Sequence, residues 1–286
     1  MSAHLAGRRT ECVTGEVPVL MYHSIGAATT REFGRFAVDP AEFAEQMDYL
    51  DAAGYRTMTA ADLVASRRGR PLPPRPVVLT FDDAYADFYS TALPVLRAHD
   101  FCATLYVPTG YVGGTASFLS GVGEGHRPVL SWQALRDIAA TGVEVAAHSH
   151  THPQLDRVPT AVIDDEVHRS RRLLEDNLGL AVDGFAYPFG YWNRTARAAV
   201  AAAGFQYAVG VAELMTTARD DVLTLPRLTV NAGLGVAGLA RLLGTRPTPV
   251  RQQAAATKRI IWRAIRGLLP AVGGDAREGW PPRDGG

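Results

Sequence analysis

The residues of this 286-residue chain that could do chemistry fall into three short stretches and two single positions. The first stretch holds the acid pair Asp82 and Asp83 in TFDDAYADFY. Neighbouring side chains of an extended chain point to opposite faces, so the two carboxylates diverge. One can bind a cation while the other accepts a proton. The same pair also reads as a helix N-cap followed by a solvated acid. The second stretch is HSHTHP, where His148 and His152 stand four apart with His150 between them. One helical turn would place the outer pair on one face, where imidazole nitrogens can share a metal. Alone, this spacing fits ordinary loop histidines equally well. With one carboxylate added, two histidines leave a coordination position open for water, the arrangement of a hydrolytic centre.

The third stretch is GFAYPFGYWN, residues 184–193. An apolar run ends in an aromatic Pro-x-Gly turn and passes to a helix capped by Asn193. Such a turn can wall a groove and aim a backbone N–H at a developing oxyanion, or it is a plain strand–turn–helix. Tyr187, Tyr191 and Trp192 either line a sugar groove or pack against the core. The single positions are His23, after VPVLMY, and Arg227, after LTLP.

All these groups follow short apolar runs, at 17–22, 76–81, 102–107, 143–147, 184–187, 207–211 and 223–226. The runs are continuous rather than alternating, which predicts strands buried on both faces. Helical patterns lie between them, at 40–53, 89–98, 131–141, 160–178 and 193–203. Asp39 before Pro40 and Ser131 before Trp132 are good caps, and Gly142 is a stop. Strand and helix in alternation predict a parallel α/β architecture. In a parallel barrel the C-terminal strand ends share one rim, where active sites are built. Two long irregular stretches, 22–38 and the glycine-rich 108–130, are expected to be functional or mobile.

The composition is 47% hydrophobic and 20% charged, which excludes collagen-like, coiled-coil and wholly disordered chains. Lys plus Arg and Asp plus Glu both number 29, so no global positive field is present to hold nucleic acid. The two cysteines, Cys12 and Cys102, rule out a disulfide framework and a Cys-rich zinc site. The N-terminal MSAHLAGRRTECVTGEVP has no apolar stretch, and no run of about 18 apolar residues occurs. The expectation is therefore a cytoplasmic protein without a secretory signal. Residues 1–16 read as a polar arm, 17–245 as the barrel, and 246–286 as a basic amphipathic helix with a loose tail. In that last segment Lys258, Arg259, Arg263 and Arg266 interleave with Ile260, Ile261, Trp262 and Ile265. It suits peripheral contact with an anionic membrane, or it docks on the barrel. The oligomeric state is not legible.

From about Val17 to Val230 the chain resembles the polysaccharide deacetylases of carbohydrate esterase family four, which share the chitooligosaccharide deacetylase homology domain. TFDDAYADFYSTALPVLRAHDFCATLYVPTGYVG resembles the family's first motif in context, SWQALRDIAATGVEVAAHSHTHPQL the second, and FAYPFGYWN the third. PVLMYHSI, with AYPFG, is similar to the branch containing the biofilm adhesin deacetylases. The resemblance implies a distorted (β/α) barrel and a metal-dependent hydrolase that removes an N-acetyl group from an amino sugar. It implies Asp83, His148 and His152 as ligands of a divalent metal, zinc or else cobalt or nickel. It further implies Asp82 as the base and the Phe189 N–H as an oxyanion donor. Two departures from the family pattern stand out. Ala186 occupies the slot of an Arg that orients the base, and LTLPRLTV lacks the usual His that acts as acid. His23 and Arg227 are the expected substitutes. The substrate is a glycan, an oligosaccharide or a lipid-linked precursor. A non-sugar amide hydrolase and a non-catalytic carbohydrate-binding barrel are the alternatives.

Overall fold

Residues 15–244 are described by the structure, a computed structural model. Except for Gly15 and Glu16, the expected N-terminal arm lies outside these residues, as does the expected basic C-terminal helix and tail. The strands of the main sheet are β1 (Val19–Tyr22), β2 (Arg56–Met58), β3 (Pro76–Phe81), β4 (Thr104–Val107), β5 (Glu144–Ala147), β6 (Gly184–Ala186), β7 (Tyr207–Val209) and β8 (Leu228–Thr229), and the short segments Ser24–Ile25 and Ala37–Val38 pair separately. All pair in parallel, in the order β8-β1-β3-β4-β5-β6-β7, with β2 added to β3. The outer strands approach one another through Leu225, which bridges in parallel to Val209 just before β8. The result is a curled, irregular barrel of the α/β class.

Within each strand the side chains alternate between two cores. Leu20, Leu79, Phe81, Leu105, Val107, Val145, Ala147 and Phe185 face outward to the helices. Val19, Val78, Tyr106, Ala146, Ala186, Tyr207 and Val209 fill the interior. Burial on both sides explains the continuous apolar runs. The alternation also directs function. Val78, Thr80 and Asp82 share a phase, as do Ala146 and His148, so the strand-end groups continue the inward rows.

The predicted helices form around their caps. Asp39 accepts from Ala41 N–H at 2.8 Å at the start of α1 (Pro40–Ala52), which buries Phe43, Met47 and Leu50. Ser131 caps α4 (Trp132–Ala139) through Ala134 N–H at 3.2 Å, and Asn193 caps α6 (Arg194–Ala202) through Ala196 N–H at 2.8 Å. The long α5 spans Thr160–Leu178. Between β2 and β5 lie α2 (Ala60–Ser66) and α3 (Leu93–Ala98), and α7 spans Gly235–Gly244. Some expectations shift. The 223–226 run is not itself a strand: Pro226 has no N–H for a ladder, and pairing resumes at Leu228. The helix expected from 89 begins as a π-helical turn, Phe88–Ala92. The strand β2 and the helices α2 and α7 were not among the expected elements. Among the described residues no helix is long and apolar enough to cross a membrane.

Candidate metal centre and cleft

Asp83, His148 and His152 come together at the C-terminal rim, their ligand atoms all within 4.8 Å of one another. Asp83 Oδ1 lies 3.5 Å from His148 Nε2 and 3.3 Å from His152 Nε2. All three residues are buried. Burial lowers the His148 pKa to about 4 and that of His152 to about 3, so both rings are neutral near pH 7 with lone pairs to offer. His148 Nδ1 bonds the Ala186 carbonyl at 2.8 Å. A carbonyl only accepts, so the proton sits on Nδ1 and the Nε2 lone pair faces Asp83. Burial pushes the Asp83 carboxyl up, and its Oδ1 has no hydrogen-bond partner. An orphaned buried carboxylate oxygen facing two neutral imidazoles fits a divalent cation, which would offset the desolvation.

The spacing predicted a helical turn under the two histidines; the chain instead makes a loop. Ser149 and His152 both adopt left-handed backbone, with φ 60° each. The buried Glu166 of α5 secures that loop. Its Oε2 accepts from His150 N–H at 2.7 Å and Thr151 N–H at 2.6 Å, and its Oε1 accepts the Thr151 hydroxyl. Ser149 Oγ accepts His152 N–H at 3.1 Å. Sequence reasoning missed Glu166, although it left a signal: an acid beside Val167, three residues from Ile163 and four from Ser170, on the buried face of α5. His150 turns to Thr109 instead, with Nδ1 2.9 Å from its hydroxyl.

Beside these ligands lies Asp82, only 3% exposed, and across it the fully buried Arg227. The guanidinium forks onto the carboxylate, Nη1 to Oδ1 at 2.6 Å and Nη2 to Oδ2 at 2.7 Å. Its Nε donates to the Gly210 carbonyl at 3.1 Å and Nη1 also reaches Thr80 Oγ1 at 3.2 Å. Burial alone would raise the Asp82 carboxyl, but the Arg227 charge overrides it and holds the group well below the usual carboxylate range. The small Ala186 stands in the interior cluster, and the arginine comes from the segment before β8. Tyr85 was also missed: its hydroxyl donates to Asp83 Oδ2 at 2.7 Å.

His23 lines the same cleft as Asp82, Asp83, His148 and His152. It is half-buried, its ring 4.8 Å from Phe36, and burial lowers its pKa against the opposing charges of Asp82 and Asp83. Phe189 also lines the cleft, its ring 4.8 Å from that of His152. It holds a left-handed φ of 59°. The turn's bonds run from Gly190 N–H to Tyr187 O at 2.8 Å and from Tyr191 N–H to Pro188 O at 3.2 Å, and neither uses the Phe189 N–H. Gly190 is required there: a Cβ would sit 2.5 Å from Val211 at φ +72°. Asp83, Ala84, Ser149, His152 and Phe189 are all left-handed without being glycine. Such strain gathers where side chains must be aimed.

Of the three aromatics with two readings, the fold separates one. Tyr187 is fully buried and its hydroxyl donates to Leu223 O at 3.0 Å, so it packs inside. Trp192 lies against Tyr187 at 6.3 Å and is not a lining residue of the cleft, and Tyr191 stacks on Phe189 at 6.4 Å. Phe118, from the 108–130 stretch, supplies a wall instead, 4.5 Å from the His152 ring. The cleft is open, and its roughly 670 Å³ of empty space runs out into solvent.

The polysaccharide deacetylase family model matches residues 69–208. The chain is 26% identical to YxkH of Bacillus subtilis over 221 residues, covering 77% of this chain and 73% of that one. It is 22% identical to a Staphylococcus aureus poly-beta-1,6-N-acetyl-D-glucosamine N-deacetylase over 213 residues, 71% of each. Among solved structures, the Streptococcus pyogenes deacetylase PplD, in complex with acetate, superposes with a TM-score of 0.70 at 26% identity, covering 81% of this chain and 99% of that one. With its curled parallel sheet and the motif residues gathered on one rim, the chain carries a match to the polysaccharide deacetylase model over residues 69–208 and is similar in sequence and fold to proteins of that family.

Proposed function

We propose that this protein is a metal-dependent hydrolase that removes an N-acetyl group from an amino sugar, cleaving a non-peptide C–N bond. The observation that carries this reading is the convergence of Asp83, His148 and His152 beside the Asp82–Arg227 pair. A divalent ion held by those three residues supplies Lewis acidity, polarising a carbonyl oxygen and making water more acidic. Two imidazoles and a carboxylate suit zinc, and cobalt and nickel accept the same donors.

The chain's own residues then divide the work. Asp82 accepts a proton from the attacking water at a carboxylate oxygen. Arg227 keeps that carboxylate ionised and aimed, while lowering its basicity. Phe189 N–H donates to the oxygen that gains charge as the acetamide carbonyl is attacked. His23 delivers a proton to the nitrogen as the C–N bond breaks, giving acetate and a free amine. The Staphylococcus aureus relative, by its name, acts on an N-acetylglucosamine polymer, which supports this sugar class as the substrate.

The test is acetate release from a panel of N-acetylated sugars, oligosaccharides and sugar conjugates. Chelated protein should be inactive, and added zinc or cobalt should restore release. A protein that binds one equivalent of metal yet releases acetate from none of them would overturn the reading.

A further inference from the structure

Arg127 lies in the glycine-rich stretch, yet it is only 8% exposed and is not a lining residue of the cleft. Its guanidinium reaches three ways. Nε donates to Glu124 Oε2 at 2.8 Å, Nη1 to Ser24 Oγ at 3.0 Å, and Nη2 to the Ala27 carbonyl. Ser24 Oγ in turn donates to Asp87 Oδ2 at 2.6 Å, and Nη1 sits 3.7 Å from that oxygen. The buried Glu124 accepts from Thr29 N–H at 2.6 Å and Thr30 N–H at 2.7 Å. The guanidinium also lies 4.4 Å over the Phe33 ring. One buried cation thus gathers the segment that follows His23, the turn that follows Asp83, and its own loop with Phe118. The two long irregular stretches are tied to each other and to the first motif.

We propose that Arg127 is a positioning residue for the deacetylation, acting through Ser24 to hold His23 in register with the metal ligands. The inference rests on the proton-delivering role proposed for His23. Ser24 adjoins His23 and is fully buried, so its hydroxyl bonds leave His23 little freedom to drift. A planar fork with donors in three directions is not replaced by an ammonium, which would have to abandon at least one partner. Asp87 and Glu124 supply the negative charge that pairs with the buried guanidinium.

The test uses the metal-loaded full chain, with Arg127→Lys and Ser24→Ala each made alone and in a His23→Ala background. Ser24→Ala leaves the buried cation and both acids in place, so it decides the question even where Arg127→Lys fails to fold. Metal content, melting temperature, kcat and KM are read on one N-acetylated sugar. We expect kcat to fall roughly 10-fold to 100-fold, as displaced catalytic groups do, with KM changed less than about twofold and one equivalent of metal retained. In the His23→Ala background neither change should lower kcat further. Near-normal kcat in a folded Ser24→Ala variant would overturn the inference. So would an equal loss in the His23→Ala background, which would mean a general structural effect. Normal turnover by His23→Ala alone would refute the role of His23, and the inference with it, without touching the deacetylase reading.

Discussion

The Asp82–Arg227 pair invites the most demanding test. Replacing Arg227 by Met keeps most of the side-chain volume and removes the fork. Asp82, 3% exposed, then loses both its charge-assisted bonds, of 2.6 and 2.7 Å, and the Gly210 carbonyl and Thr80 hydroxyl lose a donor. Breaking a buried pair from one side costs about 3–5 kcal/mol. In a chain of this size about 1 kcal/mol moves Tm by roughly 2–4 °C, so the variant should melt about 6–20 °C lower. Adding Asp82→Asn should recover much of that loss, because the stranded charge is gone, whereas Asp82→Asn in the wild-type background strands the arginine. Arg227→Lys keeps a cation without the fork and should melt between the two. Its kcat should fall roughly 100-fold through misorientation of Asp82. Calorimetry of metal-free protein gives the stability cycle, and acetate release gives the kinetics. A Met variant melting within about 2 °C of wild type, with additive effects in the double variant, would refute the coupling argument.

Glu166→Gln keeps the shape but removes the charge that gathers three donors of the 149–152 loop. Metal affinity, measured by competition with a chelator dye, should weaken at least roughly 10-fold, and unchanged affinity would clear Glu166 of that role. Gly190→Ala should destabilise the chain by about 1–3 kcal/mol, because its Cβ meets Val211 at 2.5 Å and its φ is +72°. Denaturant melts read this directly, and a midpoint equal to that of wild type would show that the turn relaxes freely. Burial pushes the Glu144 carboxyl above its ordinary value of 4.5, against the bonds it accepts from Tyr207, Ala61 and Thr104. The folded state therefore binds that proton more tightly than the unfolded chain, and this stabilisation is lost as pH rises from 4.5 through the raised value. Glu144→Gln should flatten that fall in Tm; parallel Tm-against-pH curves for the two proteins would contradict it.

Much of the site could be read along the chain because its parts are local. Asp82 and Asp83 stand at the end of an apolar run, His148 and His152 four apart, and Phe189 in a Pro-x-Gly turn. Helix caps at Asp39, Ser131 and Asn193 depend only on residues two or three positions away. The loop under the histidines was misread as helical because its shape is set by Glu166, on another element. Whether Tyr187 lines a groove or packs stayed open along the chain, because a one-residue alternation decides which side of a strand faces the core; the fold buries it.

The sequence by itself therefore determined the alternating α/β plan, the strand-end chemistry and the family resemblance. Each of these is encoded within a few neighbouring residues, by side-chain period, cap or motif. Only the tertiary structure decided that Arg227 meets Asp82, 145 residues away, and that Arg127 meets Ser24, 103 away. Such contacts depend on the curl of the sheet and the register between distant strands. Those are set by the packing of the two cores together, so no short stretch of the chain contains them.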